Sequence, residues 1–187
     1  MPELLLLRHA KSSWDAPGLA DRERPLAPRG RHAAPLMGRA MAARGWLPDR
    51  AVVSPARRAH ETWALVSPEL GPAAPEPDFV PALYMAAPDT LLATLRATPA
   101  GTRRLIVVGH NPGLEAFAAA LAGPRSDAAA LAALRHKFPT AAVARLLFDG
   151  AWAELAAGAA RLTDFVRPKA LDTQRNEGRR HGARHRG

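Results

Sequence analysis

The sequence predicts an α/β fold, a three-layer α/β/α arrangement around a mostly parallel central sheet. Three observations carry this expectation. Short apolar runs end abruptly at polar residues, as strands buried on both faces do. Helix-type segments separate the runs, and Pro or Gly stands where those segments begin or end.

The first run, Leu4 to Leu7, stops at Arg8 and predicts a buried strand. Lys11 to Arg29 mixes Ser, Asp, Gly, Pro and charge and reads as a long loop. A helix follows from about Arg29 to Arg44, with Pro35 inside it and Gly45 as its stop. Ala51 to Val53 form a second short strand. Ser54-Pro55 then predicts a helix start, with Ser as the cap and Pro in the first turn, and the helix runs through about Val66. Ser67 to Pro77 is an irregular connection leading to a short apolar stretch, Phe79 to Tyr84. Asp89 to Arg96 places Leu91, Leu92 and Leu95 on one helical face. Arg104 to Val108 is the clearest strand; Gly109 halts it and Pro112 opens a helix through about Leu121. After an Ala-rich helical stretch to Leu134, the segments Ala142 to Phe148, Trp152 to Leu155 and Arg161 to Val166 read as a meander with turns near Gly150 and Gly158.

A chain of 187 residues suits one domain plus a tail. It carries 26 Lys+Arg against 17 Asp+Glu, a net charge of +9. From Arg167 onward there are seven Lys/Arg and two Asp/Glu, so 7 − 2 = +5 of that excess lies at the end. The expected organisation is a domain over residues 1–168 and a basic, disordered tail over 169–187. The absence of Cys excludes a disulfide scaffold, a Cys-ligated zinc site and a thiol nucleophile. The first apolar run is too short for a signal sequence and no later run approaches membrane-spanning length, which predicts a soluble, cytoplasmic protein with no membrane association. Few aromatic residues and no RNA-binding motif speak against nucleic acid as the main partner, although a module binding nucleic acid or an acidic partner through the basic tail is an alternative.

Three strand ends carry the chemistry: Leu7 precedes Arg8-His9, Val53 precedes Ser54-Pro-Ala-Arg-Arg58, and Val108 precedes Gly109-His110-Asn111-Pro112. In an open parallel sheet ligands sit beyond the carboxyl ends of the strands. Parallel neighbours would therefore bring Arg8, His9, Arg58 and His110 into one anion site, where the Arg fork suits phosphate oxygens. The dipeptide Arg-His alone says little, since it occurs five times, at Arg8, Arg31, Arg135, Arg180 and Arg184; only at Arg8 does it end a buried strand. His32, His60 and His136 have no partner at metal-ligand spacing and read as solvated or structural, and the four Trp residues as packing.

The segments RHAK (Arg8 to Lys11), DRERPLAPRG (Asp21 to Gly30), VVSPARRAHET (Val52 to Thr62) and VVGHNPGLE (Val107 to Glu115) resemble the histidine phosphatase superfamily, and within it the SixA-like phosphohistidine phosphatases. The resemblance spans residues 3–168 and implies a phosphoglycerate mutase-like fold. It also implies that His9 attacks phosphorus and is transiently phosphorylated, while Arg8, Arg58 and His110 bind phosphoryl oxygens, Arg24 being a weaker candidate. Aligning Ser54-Pro55 and Ala59 with the motif selects Arg58 over Arg57. No metal or other cofactor is expected, because positioned cations can stabilise the charge that phosphoryl transfer develops.

Two departures stand out. The Gly that usually follows the nucleophilic His is Ala10 here. The acidic residue that members acting on alcohol phosphates carry after the second motif has no Glu counterpart; Asp21, Asp78 and Asp89 are the proton-donor candidates, and the sequence does not choose among them. An imidazole leaving group, with an ordinary pKa of about 6.5, needs less help than an alkoxide. Together with the short chain, which leaves little length for a lid, this favours a protein-borne phosphohistidine substrate. A phosphatase for a small-metabolite monoester is the alternative enzyme.

Overall fold

In the computed structural model, residues 1–172 are described. The strands are β1 (Glu3–Arg8), β2 (Arg50–Val53), β3 (Pro77–Phe79), β4 (Arg104–Gly109), β5 (Val143–Phe148) and β6 (Ala160–Val166). The helices are α1 (Pro28–Ala43), α2 (Arg57–Val66), α3 (Pro88–Arg96), α4 (Gly113–Leu121) and α5 (Ala128–His136). The six strands form one sheet in the order β3-β2-β4-β1-β5-β6. The β3-β2-β4-β1 part is parallel, and β5 and β6 are added antiparallel.

The continuous apolar runs exist because both faces of the central strands are covered. Leu4 and Leu6 of β1, with Leu105 and Val107 of β4, pack against α3, α4 and α5. The alternate residues Leu5, Leu7, Ile106 and Val108 pack against α1 and α2 through Met37, Met41, Trp63 and Val66. One slip of register would exchange the two sets, so the pairing Leu7↔Val108 and Val53↔Val108 is fixed by burial on both sides. That register brings the carboxyl ends of β1, β2 and β4 level with one another.

The expected elements recur with three differences. Trp152 to Glu154 is a 3-10 turn rather than a strand, so the predicted three-segment meander is the hairpin of β5 and β6. The Trp152 ring is buried and its indole N–H donates to Thr102 C=O (2.8 Å), which gives the segment a core anchor that a strand would not need. Ser54 does not cap α2: that helix begins at Arg57 with Ala56 before it, and Ser54 is fully buried beneath the strand ends. Phe79 to Tyr84 divides between the end of β3 and a 3-10 turn at Pro81–Leu83. Pro35 lies within α1 without ending it.

Residues 168–172 form a helical turn whose Leu171 packs on the core. Most of the predicted tail, residues 173–187, lies outside the described residues. Trp46, Trp63 and Trp152 pack as expected, whereas Trp14 is 72% exposed with the Arg24 guanidinium 3.2 Å above its ring. Among the described residues no helix is long and apolar enough to cross a membrane.

Candidate active site

The end of β1 is held from two sides. Arg8 N–H donates to Ala142 C=O, and His9 N–H donates to Gly109 C=O at the end of β4 (3.0 Å). Ala141, at φ 60°, turns its N–H back to the carbonyls of Arg8 (3.0 Å) and His9 (3.2 Å). Ala10 takes the place of the expected Gly without a left-handed backbone; its buried N–H donates to Thr62 Oγ1 (2.9 Å). Thr62 in turn donates to Arg58 C=O (2.6 Å), tying the segment after β1 to the first turns of α2. Glycine is required at two closures around this point. A Cβ on Gly30 would collide with the backbone carbonyl of Lys11, and one on Gly113 with that of Ala86, so the loop after β1 and the connection before α3 both approach the strand ends on glycine.

Arg8, His9, Arg58 and His110 come together at the strand ends, as the sequence predicts. The His9 and His110 rings lie 5.1 Å apart between centroids. His9 is 7% exposed and its Nδ1 is 2.7 Å from Ala10 C=O. A carbonyl only accepts, so Nδ1 carries the proton and the Nε2 lone pair is left for chemistry. Burial pushes the His9 pKa down to about 3; the bond to Ala10 opposes this, and the charges of His110, Arg58 and Arg8 reinforce it. His110 is lowered to about 4, again by burial first and then by Arg58. Both rings are therefore neutral at pH 7.

His110 Nε2 lies 2.6 Å from Ser54 Oγ, which also accepts from Ala56 N–H (3.3 Å). With the hydroxyl donating to Nε2, the neutral ring's proton sits on Nδ1. That atom is buried without a partner among the described residues, as is Arg8 Nε. Arg8 Nη1 donates to Phe138 C=O (2.8 Å). Two buried donors on two of the four residues thus remain to bind an anion with several oxygens. Arg58 is 3% exposed, whereas Arg57, the alternative in the motif, is on the surface bonded to Glu61 (2.7 Å).

The three carboxylate candidates separate. Asp21 comes to the pocket: its backbone carbonyl accepts from Arg58 Nη1 (2.6 Å), and its carboxylate accepts from Arg58 Nη2 (2.9 Å), Arg24 Nη1 (2.9 Å) and Tyr84 Oη (2.8 Å). The Tyr84 hydroxyl, followed by Arg24 and Arg58, holds its pKa far below the usual carboxylate range. An acid held ionised so firmly has no proton to give near pH 7. Asp78 pairs with Arg50 at the start of β2, the opposite end of the strand from Arg58. Asp89 is exposed on the first turn of α3, and among the described residues no hydrogen bond or ion pair joins it to the four residues. Arg24 is buried, but its Nε and Nη2 serve Ser13 C=O (3.1 Å) and Ser12 Oγ (2.6 Å), so it braces the loop and Asp21. Among the described residues no group of three or more His, Asp or Glu is placed to hold a metal.

Sequence reasoning missed Ser54, Thr62 and Tyr84. The Tyr84 ring meets His110 edge-on at 5.6 Å between centroids and its hydroxyl reaches Asp21. Ser54 was visible only as a helix signal, and Thr62 sits one turn beyond Arg58, a spacing that marks it once the helix is placed.

The arrangement combines a neutral imidazole with a free ring nitrogen, the buried guanidinium of Arg58, the half-buried one of Arg8 and a second imidazole as hydrogen-bond donor. It can bind a tetrahedral oxyanion and attack its central atom. The chain is similar to known proteins along most of its length. A family model described as histidine phosphatase superfamily, branch 1, matches residues 4–83. An uncharacterized protein of Mycobacterium tuberculosis, Rv1276c, is 38% identical over 170 residues, covering 87% of this chain and all of its own. A structure assigned to the phosphohistidine phosphatase SixA of Nakamurella multipartitia superimposes with TM-score 0.76 at 32% identity, covering 89% of this chain and 96% of the other. One assigned to SixA of Agrobacterium tumefaciens gives 0.75 at 30% identity, covering 90% and 99%.

Proposed function

This chain belongs to the histidine phosphatase superfamily as a SixA-like phosphatase, and we propose that it hydrolyses phosphohistidine on a protein through a phosphoryl intermediate on His9. The observation that carries the reading is the His9 ring, neutral, anchored through Nδ1 to Ala10 C=O, with Nε2 free among Arg8, Arg58 and His110. The unit responsible is the domain of residues 1–168.

In the first step the Nε2 lone pair attacks phosphorus and the P–N bond of a substrate ring protonated at its other nitrogen breaks, so the electron pair stays on a departing neutral imidazole. Arg8, Arg58 and the Nδ1–H of His110 take up the charge on the phosphoryl oxygens, which is where electrostatic stabilisation is largest. In the second step water attacks phosphorus, the bond to His9 breaks, and inorganic phosphate leaves with His9 neutral again. No metal is required by either step.

The choice of a P–N bond follows from the carboxylates. Asp21 is committed to Tyr84, Arg24 and Arg58 as an anion, and neither Asp78 nor Asp89 joins the pocket. A leaving imidazole, with a pKa of about 6.5, departs without a strong acid; an alkoxide does not. The similarity to two structures assigned as phosphohistidine phosphatases supports the same substrate. Turnover of a phosphohistidine peptide compared with a panel of alcohol phosphates tests it. The expected kcat/KM favours the peptide by orders of magnitude, and the reverse order would replace this reading with the small-metabolite alternative.

A further inference from the structure

Beside the pocket lies a cleft of about 560 Å3 lined by Lys11, Arg29, Lys137, Arg167 and Lys169, with no carboxylate in its lining. All five side chains are exposed, and Lys11, Arg29, Lys137 and Arg167 have no carboxylate partner among the described residues. Other surface cations are paired, Arg39 with Glu69, Arg50 with Asp78, Arg57 with Glu61 and Arg125 with Asp149, and those outside the cleft without an ion pair among the described residues, such as Arg22 and Arg161, do not line a common cleft with it. Asp172, three residues beyond Lys169, faces His32 (3.7 Å), Asp164 pairs with Arg145, and neither lines the cleft.

Cleft and pocket share a wall. Lys11 is two residues beyond His9, and Lys137 adjoins Phe138, whose carbonyl holds Arg8 (2.8 Å). Arg167 follows β6, whose Val166 pairs with Val143 at the end of the sheet where Leu7 pairs with the same residue. The cations thus lie along the same carboxyl edge of β1 as the chemistry. A polypeptide spans about 3.4 Å per residue when extended, so residues flanking a phosphohistidine in the pocket reach the cleft within a few positions.

Resting on the phosphohistidine reading above, we propose that this cleft docks an acidic segment of the substrate protein next to its phosphorylated His. Charge complementarity requires an anionic occupant. The chain's own residues 173–187 carry five Arg and one Glu, so at 5 − 1 = +4 they do not qualify. No Phe, Tyr or Trp lines the cleft for bases to stack on, whereas Pro139 and Pro168 supply aliphatic surface suited to a polypeptide.

The experiment uses the full chain and two peptides alike except that one has Glu and the other Ser on both sides of the central His. Anisotropy of the unphosphorylated, labelled peptides reads docking without turnover. Wild type binds the Glu peptide at least about tenfold tighter than the Ser peptide, and added salt erases the difference. The double variant Lys137→Glu/Arg167→Glu loses that preference while hydrolysing p-nitrophenyl phosphate as wild type does; Arg29→Glu, placed on α1, lowers it independently. With phosphorylated peptides the double variant raises KM for the Glu peptide by about tenfold and leaves kcat alone. Equal binding of the two peptides by wild type, equal loss of both in the variants, or binding of a single-stranded RNA as tight as that of the Glu peptide would overturn the proposal. Failure to hydrolyse either phosphopeptide, with p-nitrophenyl phosphate still turned over, would instead overturn the substrate reading, because the anisotropy result stands apart from catalysis.

Discussion

At the amino end of β1, Arg104 and Arg145 close on the buried carboxylate of Glu3 at 2.9 and 2.8 Å, and Asp164 takes a further Arg145 nitrogen at 3.3 Å. At the carboxyl end of the same strand, Arg8 and Arg58 crowd two buried imidazoles, with Asp21 bonded to Arg58 and Glu115 acting on Arg8. The residue types overlap and the arrangement is opposite. Charge matched by charge raises the Arg145 pKa through Glu3, whereas burial lowers that of Arg8 and both His rings. One end is built to hold the sheet together; the other keeps donors available for an anion that the fold does not supply. In a chain with 26 Lys and Arg, position beside the two buried imidazoles, and not charge alone, distinguishes Arg8 and Arg58 from the rest.

Substitutions at the two ends should therefore separate turnover from stability. The largest effect is expected at His9→Ala, which removes the proposed nucleophile and should lower kcat/KM about a thousandfold or more in a steady-state assay, with the far-ultraviolet spectrum unchanged. Arg58→Ala takes away a buried donor to the developing charge and should cost about a hundredfold or more in the same assay. At the other end, Glu3→Ala leaves two arginines facing each other. Urea unfolding should show a loss of about 2–3 kcal/mol while kcat/KM stays within about twofold. An equal loss of turnover there would erase the distinction between the two ends. Ser54→Ala removes only the partner of His110 Nε2 and should cost about tenfold in kcat/KM, since the ring keeps its burial but loses its fixed tautomer.

The pH dependence sharpens the same contrast. The unfolded chain takes up protons on His near pH 6.5, while folded His9 and His110 wait until about 3 and 4. Above pH 6.5 their contribution to stability is complete, and it is lost as the pH falls from there towards 4 and 3, because the unfolded state then binds more protons. Thermal unfolding between pH 7 and 4 should show this decline, shallower in His9→Asn, and imidazole nitrogen shifts in NMR should show both rings neutral at pH 5. A His9 ring protonated at pH 6 would remove the basis for its nucleophilicity.

Much of this site was legible because the strands that carry it are buried on both faces. Leu4 to Leu7 and Leu105 to Val108 had to be continuous apolar runs, and the residues just past them, Arg8-His9 and His110, could then be placed together. The strand ending at Val53 brought the Arg57-Arg58 pair to the site, and the resemblance of the motif chose Arg58. What stayed hidden depends on partners far along the chain. Asp21 is 37 residues from Arg58 and 63 from Tyr84, and only the closed loop shows that its carboxylate is an anchor rather than an acid. Ser54 carried a local helix signal identical to that of a cap, yet it is buried under His110, 56 residues away. Trp152 sat in an apolar segment that resembled a strand until the indole found Thr102.

Covalent attack by His9 leaves a phosphoenzyme that can be trapped. Enzyme mixed with substrate is quenched in alkali within milliseconds, digested and read by mass spectrometry, with 31P NMR to distinguish the two ring nitrogens. A phosphoryl group is expected on His9 Nε2, absent from His9→Ala and decaying at the rate phosphate appears. Turnover with no phosphoenzyme, or with the phosphoryl group on His110, would contradict attack by His9.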